Sequence, residues 1–136
     1  KELPNVRNVS LEELLQQSDI VTLHCPLMDS TRGLINAENI KLMKKTALLI
    51  NCARGPIVDA QAVADALNND QIAGAGMDVF EVEPPIPASN PLLNSKNTLV
   101  TPHIAFLSEE SMVKRAKIVF DSLDQWMAGN QVNKIC

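Results

Sequence analysis

The run Leu-Leu-Ile-Asn-Cys-Ala-Arg-Gly-Pro-Ile-Val-Asp, residues 48–59, constrains the fold more than any other stretch of the chain. Its apolar residues are consecutive rather than alternating, which predicts a strand over Ala47 to Cys52 covered on both faces, as in a parallel sheet. The run then breaks directly into a cation and a Gly-Pro turn. An arginine at the carboxyl end of such a strand lies where open α/β sheets bind ligands. Its planar fork of donors matches a carboxylate. Arg54 is therefore a candidate anchor for an acidic small molecule, set against the plainer reading of an exposed arginine closing a loop.

The rest of the chain alternates helix and strand patterns. Ser10 and Glu13 form a capping box ahead of Leu11, Leu14 and Leu15, which predicts a helix ending near Ser18. A short strand follows over Asp19 to Cys25 and stops at Pro26. Asn36 opens a second helix running through Ile40 and Met43 to Lys45, where the paired lysines suit a helix C-terminus. Asp59 caps a third reaching about Asn68, and Ile72 to Val79 returns as a strand. After a loop containing Pro84, Pro85, Pro87 and Pro91, a last strand covers Asn97 to Thr101. Ser108 then caps a long helix with Glu109 and Glu110 in its first turn, ending before Gly129. Its core stripe is Met112, Ala116, Val119, Phe120, Leu123, Trp126 and Met127.

This order predicts an α/β fold with a parallel sheet and crossover helices. It reads as the second half of a Rossmann-type doubly wound sheet, residues 1–107, followed by a long C-terminal helix and tail, residues 108–136. A dinucleotide fold carries its Gly-x-Gly-x-x-Gly phosphate loop in the first half. The five glycines, Gly33, Gly55, Gly74, Gly76 and Gly129, cannot form that loop. Gly74-Ala75-Gly76 falls within a strand, with Val79 where the third glycine belongs. The chain is thus expected to be a fragment, inactive by itself.

Composition excludes several classes. With 136 residues, 46% hydrophobic and 21% charged, and net charge −4, the chain suits one globular domain. No apolar run approaches the ~20 residues of a membrane helix. The polar N-terminus has no signal-peptide core, and no basic cluster invites nucleic acid. A cytoplasmic protein with neither membrane nor nucleic-acid partner is expected. Cys25, Cys52 and Cys136 are too scattered for a disulfide framework or a zinc site, so no metal is expected. Cys52 as a nucleophile gains no support from its spacing to any histidine.

Two further segments accompany Arg54: Met-Asp-Val-Phe-Glu-Val-Glu-Pro-Pro, containing Glu83, and Leu-Val-Thr-Pro-His-Ile-Ala-Phe, containing His103. Arginine, glutamate and histidine in this order and these surroundings closely resemble the signature of the D-isomer-specific 2-hydroxyacid dehydrogenases, from about Ser10 to Trp126. The resemblance implies that Arg54 holds a substrate carboxylate, that His103 exchanges a proton with the substrate oxygen, and that Glu83 supports His103. Glu81 is the competing carboxylate, but Pro84 directly after Glu83 matches the family's Glu-Pro pattern, and Glu81 is expected to face solvent.

The resemblance further implies that Asp78 contacts the nicotinamide carboxamide. Cys52, Ala53 and Arg54, together with His103 and Ala105, would line the nicotinamide pocket. Pro26 and Thr31 would belong to the loop on the adenosine side, and the neighbouring His24 reads better as structural. NAD is the expected cofactor; NADP stays open, because the selecting residue belongs upstream. The segment after His103 resembles the glycerate dehydrogenase or hydroxypyruvate reductase branch, so a small 2-keto or 2-hydroxy acid and a homodimer of the intact protein are expected. A corepressor-like dinucleotide-binding module of the same fold, or an inactive truncated product, are the alternatives.

Overall fold

The computed structural model describes residues 5–83 and 85–133. Pro84, on which the Glu-Pro pattern rests, and the third cysteine, Cys136, lie outside the described residues. Two compact units are present, residues 1–103 and 104–136. The first contains helix α1 (Leu11–Gln17), strands β1 (Ile20–Leu23) and β2 (Leu48–Asn51), helix α2 (Ala60–Asn68), and strands β3 (Gly74–Met77) and β4 (Thr98–Val100). The four strands are all parallel and pair in the order β1-β2-β3-β4. The fold is a Rossmann-like half sheet, as its element order predicts.

Local signals explain the helix starts. Ser10 Oγ accepts from the Glu13 amide at 3.2 Å, and Asp59 Oδ1 accepts from the Ala62 amide at 3.0 Å. Each cap satisfies an amide that the first helical turn leaves without a partner. The Glu13 carboxylate itself is engaged by Arg7 and Gln17. The helix expected over Asn36 to Lys45 is replaced by turns and a short 3-10 segment, Ile40–Leu42. Asn36 does bond as a cap: its Oδ1 accepts from the amides of Glu38 and Asn39, and the Ile40 amide reaches the Asn36 carbonyl at 3.0 Å. The segment nevertheless stops at Met43, whose backbone turns extended with ψ 150°. Lys44, expected at the helix C-terminus, instead pairs with Asp19 at 2.8 Å.

The sheet is covered unevenly. Val21, Leu23, Leu49, Ala75 and Met77 share one buried cluster with Leu15 of α1 and with Val63 and Leu67 of α2. On the opposite face Ile20, Leu48 and Leu99 are exposed, Ile50 is half-buried, and a groove of about 460 Å³ runs over Gly74 and Gly76. The expectation that β2 is buried on both faces is therefore corrected. Topology supplies the reason: right-handed crossovers between strands laid down in sequential order all fall on the same side of a sheet. The apolar residues of the other face are present, and the crossovers of these strands do not reach them.

The second unit is dominated by α3 (Glu109–Met127), capped by Ser108 Oγ accepting from the Ser111 amide at 3.1 Å. Backbone and Ser108 hydrogen bonds hold the Glu110 carboxyl below its ordinary range. Arg115 stacks over the Phe106 ring, 5.1 Å from its centroid. Gly129 takes a left-handed conformation just past the helix, φ +81°. The expected core stripe of α3 is corrected as well, since none of its residues is buried and Trp126 is 63% exposed. The spacing identifies an apolar face but says nothing about whether that face is covered.

The uneven cover predicts unequal sensitivities for neighbouring leucines. Leu49→Ala should destabilise the protein by about 2–5 kcal/mol, because the side chain is fully buried. Leu48→Ala, at a position 39% exposed, should cost less than about 1 kcal/mol. Urea unfolding midpoints of the two variants provide the comparison.

Candidate active site

The residues singled out around Arg54 sit just beyond the carboxyl end of β2. Asn51 closes that strand with its side chain fully buried on the core side. Its Oδ1 accepts from the Ala53 amide at 3.0 Å, and its Nδ2 donates to the Arg54 carbonyl at 3.0 Å. The loop is thereby bracketed to the strand, and the Arg54 side chain is exposed. Arg54 Nη1 donates to the Ala53 carbonyl at 2.6 Å, leaving the other donors of its fork to face outward.

Gly55 follows, buried where two loops touch backbone to backbone. A Cβ at this position would fall 2.0 Å from the Phe80 carbonyl carbon and 2.5 Å from the Glu81 nitrogen. Only glycine allows this approach, and it brings the arginine loop against the segment leading to Glu83. The Phe80 amide donates to Glu83 Oε1 at 2.5 Å. The second oxygen, Oε2, lies 2.7 Å from His103 Nδ1. An ionised carboxylate only accepts, so in this contact Nδ1 is the donor. The side chains of His103 and Glu83 are 43% and 24% exposed.

His103 has a left-handed backbone, φ +57°. For a residue with a Cβ this costs about 1–2 kcal/mol, and it persists where surrounding contacts determine it. Here the His103 amide donates to the Asp78 carbonyl at 2.8 Å and to the Thr101 carbonyl at 3.1 Å. Asp78 is buried, and its Oδ1 accepts from Thr101 Oγ1 at 2.5 Å.

The structure thus gathers the candidate residues into two groups in the first unit. Pro26, Cys52, Ala53 and Arg54 line one cavity of about 520 Å³ at the ends of β1 and β2, together with His24, Cys25 and Leu27. Asp78, Glu83 and His103 form the second group. Thr31 stands apart from both. Its hydroxyl donates to the Pro26 carbonyl at 2.7 Å and accepts from the Met28 amide at 2.8 Å, closing the loop that carries Pro26. Ala105 belongs to the second unit. Glu81 is exposed and lines a different cavity, with Arg32, Asp59 and Gln61. Cys25 and Cys52 are free thiols. Among the described residues no cluster of His, Cys, Asp or Glu is arranged to hold a metal, and no helix is long and apolar enough to cross a membrane. Asn51, Gly55 and Thr101 were not singled out from the sequence, although a lone asparagine at the end of an apolar strand is a visible signal.

The family model described as "D-isomer specific 2-hydroxyacid dehydrogenase, NAD binding domain" matches residues 1–105. The chain belongs to the D-isomer specific 2-hydroxyacid dehydrogenase family. It is 44% identical over 131 residues to a hydroxypyruvate reductase of Blautia hydrogenotrophica, covering 96% of this chain and 40% of that protein. Among solved structures, an acyclic imino acid reductase in complex with NADPH and D-Arg matches with a TM-score of 0.90 and 30% identity, over 100% of this chain and 43% of the other. A D-isomer specific 2-hydroxyacid dehydrogenase from Lactobacillus delbrueckii ssp. bulgaricus, in an NAD-complexed form, matches with a TM-score of 0.81 and 34% identity, over 94% and 43%. The chain spans about two fifths of the length of these relatives.

Residues 1–105 thus correspond to the NAD-binding domain of that family. The cavity at the ends of β1 and β2 is walled by aliphatic, thiol, imidazole and proline groups, is edged by a cation, and opens at the carboxyl ends of parallel strands.

Gly55→Ala should destabilise the protein by roughly 2–3 kcal/mol, because the new methyl meets backbone that has no flexible end to yield. Gly33→Ala tests the same residue change with nothing within 4 Å, so that its cost is set by backbone conformation alone. Thermal unfolding of both variants separates the two effects: Gly55→Ala should show the larger fall in Tm.

Proposed function

We propose that the chain is the cofactor-binding part of an oxidoreductase that moves a hydride between NAD and a small D-2-hydroxy acid, with glycerate and hydroxypyruvate as the favoured pair. The hydrogen bond between Glu83 and His103 at the end of the sheet carries this reading. The name of the Blautia relative supports the substrate choice. The family resemblance also supports an intact protein that is a cytoplasmic homodimer.

When bound, NAD(H) supplies or accepts the hydride at the 2-carbon. The rest of the chemistry belongs to the chain. Arg54 receives the substrate carboxylate through paired, charge-assisted hydrogen bonds, which fixes the orientation of the adjacent carbonyl. His103 gives a proton from Nε2 to the carbonyl oxygen during reduction and takes it back during oxidation. Glu83 holds Nδ1, so the ring keeps Nε2 toward the substrate. Asp78 meets the carboxamide side of the nicotinamide. Cys52 and Ala53 line the ring site, and Pro26 shapes the adjoining loop with Thr31 closing it from behind.

Two kinetic predictions test these roles in the intact enzyme. Arg54→Lys should lower kcat/KM for hydroxypyruvate about thirtyfold, with NADH affinity little changed, because an ammonium cannot form two parallel bonds to a carboxylate. An unchanged kcat/KM would remove Arg54 from the substrate site. Glu83→Gln should lower kcat/KM on the order of a hundredfold in both reaction directions, whereas Glu81→Gln should change it less than about twofold. Steady-state kinetics in both directions decide between the carboxylates, and a larger loss in Glu81→Gln would show that the supporting role is misassigned.

A further inference from the structure

We infer that Thr101 is a positioning residue for the His103 imidazole, acting through Asp78 and through the backbone rather than by touching the substrate. The inference rests on the reading of His103 as the proton-transfer group, but its geometric content stands independently of any turnover. His103 is in a left-handed conformation, φ +57°, which a residue bearing a Cβ does not adopt without restraint. Thr101 contributes to that restraint twice. Its carbonyl accepts from the His103 amide at 3.1 Å, and its hydroxyl donates to Asp78 Oδ1 at 2.5 Å. Asp78 returns the contact, because its own carbonyl accepts from the same His103 amide at 2.8 Å. A closed ring results, in which side chain and backbone of the two residues hold a single N–H.

The ring is itself fixed to the sheet. The Asp78 amide donates to the Asn51 carbonyl and the Thr101 amide to the Met77 carbonyl, both at 3.0 Å. Pro102, between Thr101 and His103, locks one further dihedral angle and has no amide to compete for the same acceptors. The direction of the His103 Cα–Cβ bond is therefore set by strand ends, and the imidazole has only its own two torsions left with which to meet Glu83. Thr101 is half-buried, and Asp78 is 4% exposed, so water cannot readily replace the hydroxyl if it is removed. Without that donor the bond that ties the Asp78 side chain to the segment carrying His103 is lost.

The test uses Thr101→Val, which keeps the shape and removes the hydroxyl, and Thr101→Ser, which keeps the hydroxyl, both in the full-length protein with ¹⁵N-labelled histidine. Two readouts are taken: the imidazole ¹⁵N shifts, which report which ring nitrogen of His103 carries the proton, and kcat and KM for hydroxypyruvate with NADH. In Thr101→Val the Nδ1-protonated signature of His103 should give way to a mixture of tautomers, and kcat should fall about tenfold. Thr101→Ser should restore both to within about twofold. If Thr101→Val keeps the wild-type imidazole signature, the inference is overturned. It is overturned equally if Thr101→Ser shows the same loss, since the effect would then be one of packing, or if neither Thr101→Val nor Thr101→Ala folds, since the residue's role would then be general stability. A changed imidazole signature in a protein whose wild type turns over no 2-keto acid upholds the positioning role and removes only the proposed function.

Discussion

Parallel pairing of β2, β3 and β4 continues beyond the regular strands as single backbone hydrogen bonds, and the site depends on this continuation. The Asp78 amide reaches the Asn51 carbonyl, the Thr101 amide reaches the Met77 carbonyl, and the His103 amide reaches the Asp78 carbonyl. The first two keep the register of the slanted parallel ladder, and the His103 bond is shifted from it by one residue. Three segments that are distant in the chain are thereby held at matching heights along the strand direction. Arg54 emerges from the first, Glu83 follows the second, and His103 ends the third. The side-chain contacts, from Asn51 to the arginine loop and from Glu83 to the imidazole, are built on this frame and could not be made by loops free to slide.

The same parallel pairing shows which parts of the fold were legible in the sequence. Helix caps were legible because they are local: Ser10, Asp59 and Ser108 each accept from an amide three residues further on. Strand positions were legible too, although β3 occupies only Gly74–Met77 of the apolar stretch from Ile72 to Val79. The connection between β1 and β2 was not. Its helical spacing at Ile40 and Met43 and the cap at Asn36 are both present, yet the backbone turns extended at Met43, and spacing alone does not reveal where a helix stops. Burial on one face or two was equally hidden, because an apolar side chain records what could be covered and not what covers it. Leu48 and Leu49 are adjacent in the sequence and opposite in environment.

For the candidate site, the chemistry-bearing residues were easier to find than the residues that place them. Arg54 and His103 are polar groups next to apolar runs and turn-forming prolines, which makes them conspicuous. Of the two carboxylates, Glu83 is the one within hydrogen-bond distance of His103, and the proline that guided the choice lies outside the described residues. Asn51, Gly55 and Thr101 act across the fold: Gly55 against Phe80, Thr101 on Asp78. Nothing within a few residues of each announces that partner. Pairings over such separations follow from strand order and register, and these appear only when the sheet is assembled.

The contact between Gly55 and the Phe80–Glu81 backbone bears on how this site could change over time. With no side chain as a cushion between them, the arginine loop and the glutamate loop are in effect one mechanical part. A shift of the Arg54 loop would carry the Phe80 amide with it, and that amide holds the Glu83 carboxylate. The reach of the arginine and the set of the imidazole are therefore not separate variables.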